Sequence, residues 1–181
     1  LEQNGMVIWL TGLSGAGKST IANALEILLN QYGFFTISLD GDLIRSGMNK
    51  DLGYTATDRS ENIRRVQEMS KILVQKNIIV LCSFITPDQQ YRNENRKALG
   101  NQYFEVFVDC PVSICESRDV KGLYKKARNL EIDHFTGIDA GFDTPVNPDL
   151  ILNSHHQTLE ECVDTLFKVV RPLVSTQELV M

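Results

Sequence analysis

The amino-acid sequence predicts an α/β domain: a parallel five-stranded sheet with helices on both faces and a lid segment. Two observations predict it. Short apolar runs rich in β-favouring residues alternate with stretches of helical periodicity, the pattern that gives right-handed crossovers and a sheet covered on both sides. Between the first run and the first helix stands Gly12-Leu-Ser-Gly-Ala-Gly-Lys-Ser19, a glycine-rich turn of the kind that joins a strand to a helix around an anion.

The elements follow in order. Met6 to Thr11 is apolar and short, so it reads as a buried strand. Ile21, Ala24, Leu25, Leu28 and Leu29 mark the inner face of the first helix, and Gly33 ends that connection. Phe34 to Leu39 reads as the second strand. Asp58-x-x-Glu61 has the form of a capping box, and the helix it opens turns Ile63, Val66, Met69, Ile72 and Leu73 inward. Ile78 to Phe84 is the third strand, Gln89 to Leu99 a polar helix and Tyr103 to Val108 the fourth strand. Two short helical pieces cover Val112 to Arg118 and Leu123 to Arg128. Asn129 to Pro148 is rich in glycine and proline and reads as loop; with the short pieces it forms a lid over about 118–148. Leu150 to Leu152 is the fifth strand. Thr158-x-x-Glu161 caps a last helix with Leu159, Cys162, Val163, Leu166, Phe167 and Val170 on one face, and Pro172 is expected to stop it. The chain, 1–181, reads as a single domain with a loose tail over 174–181.

Composition narrows the function. Hydrophobic residues are 43% and charged residues 23% of the chain, enough apolar material for a packed core. A net charge of −5 argues against a broad basic face for nucleic acid. Apolar runs such as Ile78 to Cys82 are too short to cross a bilayer, and the first residues lack a secretory pattern. A cytoplasmic protein with neither nucleic acid nor membrane as partner is expected. Cys82, Cys110, Cys115 and Cys162 are scattered and complete no zinc spacing with His134, His155 and His156.

Gly12, Leu13, Ser14, Gly15, Ala16, Gly17, Lys18, Ser19 and Thr20 form the nucleotide cradle, which implies the P-loop NTPase fold with ATP as ligand. Glycines let backbone N–H groups turn inward without Cβ clashes, and the helix N-terminus adds unpaired donors. Lys18 supplies a point charge to the transferred phosphoryl group, and the Ser19 hydroxyl suits Mg²⁺. No Asn-Lys-x-Asp guanine motif occurs, and the third strand ends Val80-Leu-Cys-Ser-Phe84 without a carboxylate. Both absences favour a small-metabolite kinase over a switch GTPase or motor.

The acceptor is expected on the other side of the cradle. Asp40 and Asp42 follow the second strand, at the sheet edge where ligands of open α/β folds collect. Asp42 could orient an acceptor hydroxyl and take its proton; an Asp-Gly turn with a helix cap is the alternative. Arg45, Arg59 and Asn62 suit an anionic acceptor. Arg64 and Arg65 read as a solvated face. Arg92 and Arg96 share a helix face and are assigned to the ATP phosphates, with a surface pattern around Glu94 as the alternative. Arg118, Lys121, Lys125, Lys126 and Arg128 stand against Asp119 alone, a charge excess suited to a lid closing over anions. Phe135 could stack on a base or anchor its loop.

Taken together, these motifs resemble the adenylyl-sulfate kinase family. The resemblance runs from Val7 to about Asn153. It is carried by Ile8-Trp-Leu-Thr-Gly-Leu-Ser-Gly-Ala-Gly-Lys-Ser-Thr20, Leu39-Asp-Gly-Asp-x-x-Arg45, Asp51-Leu-Gly-Tyr54, Asp58-Arg-x-Glu-Asn62, Phe84-Ile-Thr-Pro87, Arg118-Asp-Val-Lys-Gly-Leu-Tyr-Lys-Lys-Ala-Arg128 and Phe135-Thr-Gly-Ile-Asp139. The resemblance implies transfer of the ATP γ-phosphoryl group to the ribose 3′-hydroxyl of adenylyl sulfate. It places Asp42 by that hydroxyl and Arg45, Arg59 and Asn62 on the phosphosulfate, with Asp40 counted among the residues that bind adenylyl sulfate. Tyr54 and Phe135 would enclose the acceptor adenine, with Tyr54 where phenylalanine is common. Ile85, Thr86, Lys121, Gly122 and Leu123 would touch the same ligand, and Arg118 would lie near the ATP base. Two departures stand out. Thr86 replaces the serine of Ile-Ser-Pro, which is labelled a phosphoserine intermediate in some members, so the hydroxyl now sits on a stiffer branched carbon. Asp139-Ala-Gly-Phe-Asp-Thr-Pro145 stands where the family commonly shows Pro-Tyr-Glu. The resemblance also implies a homodimer, and a fusion to or association with ATP sulfurylase. Another small-metabolite kinase of this fold, or a nucleotide-binding domain without turnover, stays open as a rival.

Overall fold

The computed structural model describes residues 1–176. Its strands are β1 (Met6–Thr11), β2 (Thr36–Asp40), β3 (Ile79–Ser83), β4 (Tyr103–Asp109) and β5 (Leu150–Asn153). Its helices are α1 (Lys18–Gln31), α2 (Gly41–Ser46), α3 (Ala56–Val74), α4 (Gln89–Leu99), α5 (Val112–Arg118), α6 (Leu123–Arg128) and α7 (Leu159–Val174). The five strands pair in parallel in the order β2-β3-β1-β4-β5. β1 is central and buried along its whole length, which is why its run is apolar without alternation.

Strand pleating divides the core in two. Ile8 and Leu10 of β1 join Leu81, Val106 and Val108 beneath α1 and α7, packed on Leu25, Leu29, Leu166 and Val170. Val7 and Trp9 point the other way, with Val80 and Cys82, onto Ile63, Val66 and Val74 of α3 and Leu99 of α4. Each layer buries a stripe of the helices on its own side, so β1, β3 and β4 are covered on both faces, while Ile151 of the edge strand β5 stays half exposed.

Several local expectations change. The helix cap given as the alternative at Asp40 is present, and the residues after it continue as the helix α2 rather than as a turn alone. α3 begins at Ala56, because Thr55 rather than Asp58 is its N-cap: the Thr55 hydroxyl oxygen accepts from the Asp58 amide at 3.2 Å. Glu61 is held instead by Arg64 and Arg65, which keep its carboxyl at about 2. Ile72 is exposed, since the stripe of α3 rotates past it to Ser70 and Val74. Pro172 does not stop α7, which runs on to Val174. A proline in the last turn loses one intrahelical bond, while Val170 and Val174 keep that turn buried. The loose tail is therefore corrected over 174–176: Val174 is packed, Ser175 bridges Gln3, and the Thr176 hydroxyl donates to the Glu2 carbonyl at 3.0 Å. Residues 177–181 of that expectation lie outside the described residues.

Candidate active site

A cleft of about 470 Å³ opens at the carboxyl ends of β1, β2 and β3. Its floor is the glycine-rich loop after β1. Gly12 has φ 148°, and a Cβ there would meet the Val108 carbonyl oxygen at 2.5 Å. Gly15 has φ 77°, and its Cβ would press on the Cys115 carbonyl at 3.1 Å. Both positions demand glycine, and they fix the loop against β4 and α5. Leu13 and Ala16 are buried and face away from the cleft; Ser14, Gly15, Gly17, Lys18, Ser19 and Thr20 line it.

The Lys18 ammonium donates to the Gly12 and Leu13 carbonyls at 2.9 and 2.7 Å. Burial pushes it down to about 8. The Ser19 hydroxyl donates to Asp40 Oδ2 at 2.5 Å, and the other Asp40 oxygen accepts from the Asp42 and Leu43 amides. Burial raises the Asp40 carboxyl, but these three donors outweigh it and hold it below its ordinary value. Asp40 is thus both the cap of α2 and the partner of Ser19. That cap aims Asp42, on the first turn of α2, into the cleft, where it forms an ion pair with Lys121.

The opposite wall gathers the acceptor candidates. Arg45 lies 4.5 Å over the Tyr54 ring and donates to the Gly53 carbonyl. Arg59 reaches from α3 to the Thr136 hydroxyl and the His134 carbonyl, so it spans from helix to lid. Asn62 is buried and accepts from Asn49 Nδ2 at 2.9 Å. Phe135 packs edge-on against Tyr124 at 4.9 Å, and Tyr124 donates to the Ser14 carbonyl at 2.8 Å. Tyr54 and Phe135 line the same cleft, with Ile85, Thr86, Lys121 and Leu123. Gly122 lies beside them as the N-cap of α6. Arg118 bridges the Gly15 and Ser154 carbonyls, tying the start of the lid to the phosphate loop.

Thr86 departs from a free nucleophile. It is 2% exposed, and its hydroxyl oxygen accepts the Trp9 indole N–H at 2.9 Å. Arg92 and Arg96 do not line the cleft. Arg92 is fully buried, with its guanidinium on the Thr86, Pro87 and Asp143 carbonyls; Arg96 pairs with Asp149 and Glu105. Their assignment to ATP is corrected for that reason: the shared helix face predicted from spacing exists, but it points at β4. Tyr91, Ile132 and His134 also line the cleft. None of the three stands inside a motif; Ile132 and His134 directly precede the Phe135 motif, and only the fold brings Tyr91 to them. Tyr124 was visible within the basic stretch, yet nothing in its spacing marks a bond to the phosphate loop.

The family model described as Adenylylsulphate kinase matches residues 4–153. A Clostridium acetobutylicum protein named adenylyl-sulfate kinase is 48% identical over 171 residues, covering 94% of this chain and 86% of its own. A Bacteroides fragilis protein of the same name is 49% identical over 179 residues, 98% of this chain and 89% of its own. The Mycobacterium tuberculosis APS kinase solved with AMPPNP and APS is 41% identical, covers 93% of this chain and 98% of that one, and superposes with a TM-score of 0.89. Shikimate kinase from Aquifex aeolicus, 17% identical with a TM-score of 0.52, shares the fold. The chain belongs to the adenylyl-sulfate kinase family.

Proposed function

We propose that this protein transfers the γ-phosphoryl group of ATP to the ribose 3′-hydroxyl of adenylyl sulfate, giving ADP and 3′-phosphoadenylyl sulfate. One observation carries the reading. A single cleft holds the phosphate loop with Lys18 and Ser19 at one end, and Asp42, Arg45, Arg59, Asn62, Tyr54 and Phe135 at the other. Two anionic nucleotides can meet there head to head.

Phosphoryl transfer of this kind relies on alignment and charge neutralisation more than on covalent help. Lys18 leaves its loop carbonyls to take the transferred group. Asp42 exchanges Lys121 for the acceptor hydroxyl, orients it and accepts its proton. Arg45 and Arg59 neutralise the phosphosulfate, and Tyr54 and Phe135 flank the acceptor base. Arg118 lies by the ATP base. Thr86 acts as a strut behind the wall, because its hydroxyl is buried on Trp9. The Ser19 hydroxyl and Asp40 carboxylate converge within 2.5 Å, a hard-oxygen pair that fits Mg²⁺ with most of its shell supplied by water and phosphate. Bound there, the ion would neutralise phosphate charge. A homodimer and an association with ATP sulfurylase rest on the family resemblance alone; light scattering tests the first and co-purification the second.

The test is ADP release from Mg-ATP with adenylyl sulfate, AMP, shikimate or gluconate as acceptor. Turnover confined to adenylyl sulfate is expected. Turnover with another acceptor instead would replace the acceptor assignment, and ATP binding with no turnover would make the chain a nucleotide-binding domain.

A further inference from the structure

The largest charged side chain buried outside the cleft is Arg92, and its contacts have a direction. One end of its guanidinium donates to the Thr86 carbonyl at 2.5 Å and the Pro87 carbonyl at 3.3 Å, on the segment that forms the acceptor wall. The other donates to the Asp143 carbonyl at 2.5 Å, on the returning arm of the lid, and to Gln89 Oε1 at 3.0 Å. Glu105 of β4, 3.8 Å from its Nε, supplies the counter-charge. The lid arm reciprocates. The Asp143 amide donates to the Pro87 carbonyl at 2.8 Å, and Asp143 Oδ2 accepts the Gln89 amide at 3.0 Å, capping α4 where Asp88 offers no side-chain cap. Phe142 stacks on Phe107 at 6.0 Å and lies 5.6 Å from the Arg92 guanidinium.

The wall itself needs holding. Thr86 has φ 45°, a left-handed conformation that a β-branched residue adopts only when its surroundings compel it. The Trp9 indole holds its hydroxyl, the Thr11 hydroxyl donates to the Ile85 carbonyl at 2.7 Å, and Arg92 holds its carbonyl. Arg92 is the only one of these three that also grips the lid.

We propose that Arg92 is a positioning residue for the acceptor: with Asp143 it pins the return arm of the lid to the Ile85–Pro87 wall, so that the two close on the acceptor as one body. The planar fork matters here, since two carbonyls on different segments must be met at once. The consequence for turnover rests on the adenylyl sulfate reading; the mechanical linkage does not.

Arg92→Lys retains the charge beside Glu105 and loses the fork. It should raise KM for adenylyl sulfate roughly tenfold or more while ATP affinity, read with a fluorescent ATP analogue, stays within about twofold. Asp143→Ala, at an exposed side chain, should raise the same KM by a smaller factor. The double variant should be no worse than Arg92→Lys alone, because the two act through one joint. Hydrogen exchange of the ligand-free variants reads the joint directly: the Gln89 and Asp143 amides should exchange roughly tenfold faster while β1 and α7 are unchanged. Wild-type protein inactive on adenylyl sulfate would strike at the acceptor assignment and leave the exchange readout to judge the joint. Unchanged exchange at both amides, or an unchanged acceptor KM in an active protein, would overturn the proposal. So would parallel losses of ATP and acceptor affinity that track the melting temperature. If Arg92→Lys does not fold, Asp143→Ala decides by the acceptor KM and by exchange of the Asp143 amide alone, because that variant removes the acceptor of the Gln89 amide outright.

Discussion

Lys18 sits 8% exposed, with its ammonium on two carbonyls of its own loop. Its ordinary value is 10.5 and burial brings it to about 8 in the folded protein. Between those values the unfolded chain binds a proton that the folded chain has lost, so stability rises with pH across about 8 to 10.5. Below 8 the cost of burying the charge stands in full, on the order of 3 kcal/mol. Lys18→Met should therefore melt higher than wild type at pH 7, by a margin that shrinks as pH approaches 10.5, while turnover is lost. Thermal melts across that range check it, and a margin independent of pH would sink it. Asp42→Asn behaves differently. Its ion pair with Lys121 is exposed and contributes little to stability, so the variant should melt as wild type and bind ATP normally. Turnover should fall on the order of 10²- to 10⁴-fold, and near-normal turnover would remove Asp42 from its role. Lys18 and Ser19 could be read as candidates because the phosphate loop is written in nine consecutive residues, Gly12 to Thr20. Arg92 was misassigned because helix spacing shows which residues share a face and not what that face meets.

At the scale of elements, capping explains both what could be read and what could not. Thr158 and Glu161 form a complete capping box on α7, as the spacing predicts. Thr158→Ala should cost about 1 kcal/mol of stability with kcat and KM unchanged; urea unfolding beside a kinetic assay checks both, and a kinetic change would show that α7 reaches the cleft. The same motif at Asp58 and Glu61 was misleading, because Thr55 stands three residues earlier and the arginines at 64 and 65 claim Glu61. For α2 only the cap could be read, as one of two alternatives, since six residues are too few to show a period. Its cap, Asp40, is nevertheless what turns Asp42 into the cleft.

For the whole molecule, the two cores share one sheet, and its three inner strands β1, β3 and β4 contribute side chains to both. Loss of packing on either face should therefore be felt throughout. Leu25→Ala on α1 and Val66→Ala on α3 should each lower stability, the first by about 2–5 kcal/mol and the second by less. In each case the emission of Trp9, the single tryptophan, and far-UV circular dichroism should report one coincident transition. Separate transitions for the two probes would mean that the layers unfold independently. Among the described residues no helix is long and apolar enough to cross a membrane.

The order of strands and helices, the phosphate loop and most helix stripes follow from sequence, since each is written in neighbouring residues through hydrophobic period, glycine placement and caps. The cleft's acceptor side came partly from motifs and partly from family resemblance. The partners of its side chains did not: Lys121 on Asp42, Arg59 on the lid and Arg92 between wall and lid join residues separated by 79, 77 and 51 positions. Such contacts depend on how the crossovers stack the sheet's carboxyl ends beneath the lid, a property of the packed chain that no local pattern encodes.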